Sequence, residues 1–126
     1  MARRGIWWWK AEIGTLHDQK MEDLVDELGA AGVGVWFSAM CQLHSAINDG
    51  KSFLRREHLV RRVACDLDMR REDAEAALCR MAEIGLLDKG MWSEGKAVNE
   101  RVARRYEEYQ AKVGIAEKAR AARGDG

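Results

Sequence analysis

The sequence predicts a mainly α fold with a small β wing: a winged helix-turn-helix carrying an N-terminal strand and a C-terminal helical extension. Three observations lead there. Two short amphipathic helical patterns between Phe53 and Ile84 are separated by a four-residue gap. A short strand pattern precedes them, and a hairpin-like stretch, Leu86–Val98, follows Gly85. That order of strand, helix, turn, helix and wing serves nucleic-acid binding and protein assembly far more often than catalysis.

A chain of 126 residues with one residue in three charged suits one small soluble domain. The expected division is a winged-helix domain over residues 1–100 and a helical extension over 101–126. The longest apolar run, around Ala30 to Met40, is too short and too interrupted by glycine for a membrane span. No signal-peptide pattern follows Met1, since Trp7–Trp9 is flanked at once by Lys10 and Glu12. Cys41, Cys65 and Cys79 are odd in number and irregularly spaced, which suits reduced thiols and a cytoplasmic protein. The chain has no proline, which favours uninterrupted helices.

Taken in order, Ile6–Lys10 reads as a short strand. Alternation sends Trp8 to one face and Trp7 and Trp9 to the other, so these rings either complete the core or form an oligomer contact. Asp18 is placed to cap a first helix whose buried stripe is Met21, Leu24, Val25 and Leu28. Gly29 ends that helix, and Gly32 and Gly34 lead into a second, roughly Val33 to Asn48, which buries Trp36, Ala39, Met40, Leu43 and Ile47. After the stop signal Asn48-Asp49-Gly50, a brief strand is expected at Ser52–Leu54.

The third helix, about Arg56 to Asp66, turns Leu59, Val60 and Val63 inward. The fourth, about Arg71 to Ile84, does the same with Ala74, Ala77, Leu78, Met81 and Ile84. Leu86–Trp92 and Lys96–Glu100 are expected to pair as the wing, around Ser93-Glu94-Gly95. Beyond it, Val102, Tyr106, Tyr109, Val113 and Ala116 form a short heptad seam. Two heptads are short for a coiled coil, so this helix is expected to dock on its own domain and then project.

Formal charge sums to zero, yet it is unevenly spread. Six acids face one base between Ala11 and Ala30, while seven bases face three acids between Lys51 and Arg71. Such polarity steers a polyanion to one face or joins copies head to tail, and two solvated helix faces account for it equally well. The fourth helix makes a poor base reader. Its outward side carries Glu72, Ala76, Cys79, Arg80 and Glu83, and carboxylates repel a phosphate-lined groove. The bases lie around it instead. Arg55 and Arg70 occupy helix-cap positions, where a guanidinium and free amides together suit a phosphate. Arg61, Arg62 and Arg71 extend that patch, Lys89 and Lys96 lie on or near the wing, and Arg80 on the fourth helix itself is counted with them as a DNA-facing base. Contacts of this kind imply sequence-tolerant, salt-sensitive binding.

Catalytic signals are lacking. His17, His44 and His58 fall on three elements, and the pair Cys41 and His44 has no second pair to complete a zinc site. No catalytic residue, cofactor or metal is therefore assigned, and the chain is read as a non-enzyme.

The order of these motifs resembles the N-terminal winged-helix domain of DnaD-like replication proteins and phage replisome organisers. The likeness is carried by Trp8-Trp9-Lys10, Asp18-x-Lys20-Met21, Gly29 with Gly32-x-Gly34, Trp36 and Leu43, Gly50, Gly85-Leu86-Leu87, and Tyr106 with Tyr109. It spans roughly Ile6 to Gln110. The resemblance implies a replication-initiation accessory of phage or prophage origin. In such proteins the N-terminal domain often serves self-association into homo-oligomers, DNA contacts are shared with a separate C-terminal domain, and a helicase or helicase loader is brought to the DNA. In this reading Trp7, Trp8, Trp9, Val102, Tyr106, Tyr109 and Val113 join subunits. A dimeric transcription regulator and a pure protein-interaction module are the alternatives.

Overall fold

The computed structural model describes residues 17–124. The Trp7–Trp9 strand expected at Ile6–Lys10 lies outside the described residues. The described chain is mainly helical with one small antiparallel sheet. Asp18 starts the first helix, α1 (Gln19–Asn48), its carboxylate accepting from the Lys20 amide at 3.2 Å. Satisfying one free amide in this way fixes where the helix begins.

Helix α1 is two helices joined at Gly29, whose φ of 64° and ψ of −149° belong to a region only glycine enters without strain. The second half starts at once, three residues before the Val33 start expected from the sequence. The turn is tight because Gly32 has no side chain. A Cβ there would lie 2.9 Å from the Leu28 Cβ and 3.2 Å from the Leu24 carbonyl oxygen. The break brings Met21 and Leu24 onto the same core as Val35, Ala39, Met40 and Leu43. Val25, expected in that stripe, is instead exposed.

Two further helices, α2 (Arg56–Asp66) and α3 (Arg71–Ile84), have the bounds their periodicity predicts. Leu59, Val60 and Val63 on α2 meet Ala74, Ala77, Leu78 and Met81 on α3, and both helices pack on α1. Asp66 ties α2 to α1: its Oδ2 accepts from Ser38 Oγ and Gln42 Nε2, each at 3.0 Å. Helix α3 stops at Gly85, and its terminal Gly85 carbonyl accepts from Lys20 Nζ at 3.2 Å. A cation there also complements the negative end of the helix dipole.

The expected wing hairpin is not formed. Asp88 Oδ1 accepts from the Met91 amide at 2.9 Å and starts a one-turn helix, α4 (Lys89–Ser93), within the segment read as the first wing strand. The strand β2 (Lys96–Ala97) pairs with β1 (Leu54–Arg55) across the chain, with Leu54 opposite Ala97 and Arg55 opposite Lys96. Strand β1 overlaps the expected Ser52–Leu54 only at Leu54. Asn99 closes the region by donating to the Leu86 carbonyl at 2.6 Å and accepting from the Val102 amide at 3.0 Å. That second bond caps the last helix, α5 (Glu100–Ala122), whose Val102 is buried and which packs on α1.

By length and composition alone α1 could cross a membrane. In the fold it is broken at Gly29 and contributes much of the core. His44 is among its buried residues, with Nδ1 2.8 Å from the Met40 carbonyl.

Two outcomes test this packing. Gly32→Ala should lower stability by roughly 1–3 kcal/mol through overpacking. Gly114→Ala, where a new Cβ meets nothing within 4 Å, should raise it by up to about 1 kcal/mol, both read from urea unfolding. Burial holds His44 below its ordinary pKa of 6.5, opposed by the Met40 hydrogen bond and aided by the charge of Arg105. The unfolded chain therefore takes up this proton first, so stability should fall as pH drops below about 6.5. His44→Gln should flatten that slope; an unchanged slope would contradict the assignment.

Candidate nucleic-acid interface

Arg55 and Arg56 are consecutive and take opposite roles. Arg56 turns inward at the start of α2. Its guanidinium lies 4.5 Å from the centre of the Trp92 ring. Its Nη2 donates to Glu75 Oε1 at 2.9 Å and to Cys79 Sγ at 3.3 Å, and Nη1 reaches the Trp92 carbonyl at 3.4 Å. Trp92 Nε1 also donates to Cys79 Sγ at 3.4 Å, so Cys79 faces this cluster and not the outer side of α3. The Arg56 amide donates to the Gly95 carbonyl at 2.8 Å, which continues the β1–β2 pairing.

Arg55 points the other way. It is the cap residue of α2, its side chain makes no capping bond, and it is exposed. It borders an open groove lined by residues 50–55 together with His58 and Arg61. Lys51, Arg55, His58 and Arg61 are the titratable groups on that lining, and no carboxylate is among them. Phe53 stands at the groove's edge, 36% exposed, with Lys96 Nζ 5.0 Å from its ring centre. A neighbouring recess, which shares Phe53 and Arg55 with the groove, is mixed in charge, holding Arg56 and Lys96 but also Glu57, Glu75 and Glu94.

The groove's positive field shows in His58. Arg61 Nη2 lies 3.4 Å from His58 Nδ1, and a guanidinium only donates, so this nitrogen accepts and the ring is neutral in that contact. The imidazole is held below its ordinary pKa of 6.5 by desolvation first, and then by the charges of Arg61, Arg62 and Lys51.

The other predicted cations lie outside the groove lining. Arg62 pairs with Asp66 at 3.5 Å and Arg70 with Asp73 at 3.1 Å. Arg80 makes a two-pronged contact to Glu27 and a second to Glu83 at 2.6 Å, and the two carboxylates raise its pKa. Arg71 at the start of α3 and Lys89 on α4 are exposed. Among the predicted oligomer residues, Val102 is buried within the domain. Tyr106, Tyr109 and Val113 are half-buried along α5, the two tyrosine rings 6.4 Å apart, while Ile115 beside them is 68% exposed. No group of three or more His, Cys, Asp or Glu converges as a metal site among the described residues.

Lys51, Phe53 and His58 complete the groove, although the sequence alone does not mark them as site residues. The spacing Arg55, His58, Arg61 and Arg62 does place these side chains along one strip of a helix, a signal that a count of arginines and lysines alone passes over. No family model, no curated protein and no solved structure matches the chain.

The groove's field makes one directly measurable claim. Arg61→Ala, by removing a nearby cation and a donor to Nδ1, should raise the pKa of His58 in an NMR titration of its ring protons. A value unmoved by the substitution would show that Arg61 does not face His58.

Proposed function

We propose that this chain is a DNA-binding and assembly module of a replication-initiation accessory protein, of the replisome-organiser kind, and not an enzyme. It holds DNA through the groove beside β1 and associates with copies of itself through Trp7–Trp9 and the C-terminal helix. The single observation supporting DNA binding is a groove that gathers Lys51, Arg55, His58 and Arg61 with no carboxylate on its lining. Guanidinium and ammonium groups placed this way suit phosphate oxygens, which carry little sequence information.

The same reading accounts for the exterior of α3. Glu72, Ala76 and Glu83 are exposed there, and Arg80 is engaged by two carboxylates. A helix so decorated suits a major groove poorly, which favours sequence-tolerant binding over operator recognition by a dimeric regulator. Recruitment of a helicase or its loader rests on the family resemblance of the sequence.

Fluorescence anisotropy with labelled DNA tests the proposal. Arg55→Ala/Arg61→Ala should weaken binding to every sequence alike and lower the salt-dependence slope by about two, one for each phosphate no longer neutralised. Arg70→Ala/Arg80→Ala should change it far less. Unchanged affinity in the groove variant, or a sequence-specific footprint, would contradict the reading.

A further inference from the structure

We infer that the groove takes single-stranded DNA in preference to duplex, with a base stacked on Phe53 and the flanking phosphates on Arg55, Arg61 and Lys96. The inference rests on the DNA-binding reading above and deepens it. Phe53 is one of few large apolar residues exposed in the described chain, and it stands between the basic groove and the recess that contains Lys96. Phe53 also borders a small recess whose lining includes Leu43, Ile47, Ala97 and Val102, so one part of the residue adjoins the core while another meets solvent.

Cations lie on both sides of this ring. Arg55 and Arg61 line one side, and on the other Lys96 reaches over the ring from the strand paired with β1, in a recess it shares with Glu57, Glu75 and Glu94. An aromatic face between positive groups matches the alternation of base and phosphate along an unpaired strand. A duplex keeps its bases stacked inside and offers this ring nothing to stack on. The helix that would have to read a duplex, α3, turns Glu72 and Glu83 outward.

The test compares labelled oligo-dT with a duplex of equal length, at low salt, by fluorescence anisotropy of the full chain. The single strand should bind about tenfold more tightly, and Phe53→Ala should lose about that factor on the single strand while leaving duplex binding in place. Phe53→Trp, which keeps a stacking face, should retain the preference. Duplex affinity doubles as a check that each variant is folded. Equal affinity for the two forms would overturn the stacking inference and leave the basic groove standing. So would a Phe53→Ala variant that weakens both forms equally, since that marks a packing role. Failure of the unaltered protein to bind either form would overturn this inference and the DNA-binding reading together.

Discussion

The placement of the Arg56 guanidinium over Trp92 ties together the elements beside the basic groove. It joins three elements that are distant in sequence: the start of α2, the Glu75 and Cys79 positions on α3, and the α4 turn. A cation over an indole contributes roughly 0.5–2 kcal/mol, and the half-exposed pair with Glu75 adds little. Its importance is therefore geometric. With Trp92 held, the chain leaving α4 is set to run beside β1, and Lys96 comes to lie over Phe53. With Arg56 committed inward, Arg55 is left facing solvent at the cap of α2.

Charge is distributed by the same economy of partners. A chain of zero formal net charge can still hold a positive surface if its carboxylates are engaged elsewhere. Here Glu27, Asp66, Asp73 and Glu83 face Arg80, Arg62 and Arg70. These are surface pairs whose value to stability is small. Their effect on function is larger, because they draw acids away from the edge where Lys51, Arg55 and Arg61 gather. Depression of the His58 pKa is partly an expression of that field.

Much of this was legible in the residues. The stripes of α2 and α3, the Asp18 cap and the Gly85 stop all report local physics, and each recurs in the fold. What escaped was non-local. Ser93-Glu94-Gly95 does carry a positive-φ glycine, at 83°, but the residues before it follow the Asp88 cap into a helical turn. Burial of Trp92 against Arg56 and Cys79 favours that turn, and nothing in the local pattern announces it. Gly29 was legible as a stop, whereas the immediate restart depends on Gly32 fitting against Leu24 and Leu28. The site was half visible. Arg55, Arg61 and Lys96 stand at or beside the groove, while Arg62, Arg70 and Arg80 are paired with acids. Pairs such as Arg80 with Glu27 join residues far apart along the chain, which no local pattern shows to be near.

Amide chemical-shift mapping during titration with a short DNA strand bears most directly on the account. Shifts should concentrate on residues 51–61 and on Lys96, leaving the outer face of α3 at Glu72, Ala76 and Glu83 unmoved. Shifts centred on that face of α3, with the β1 edge silent, would contradict the groove as the nucleic-acid interface.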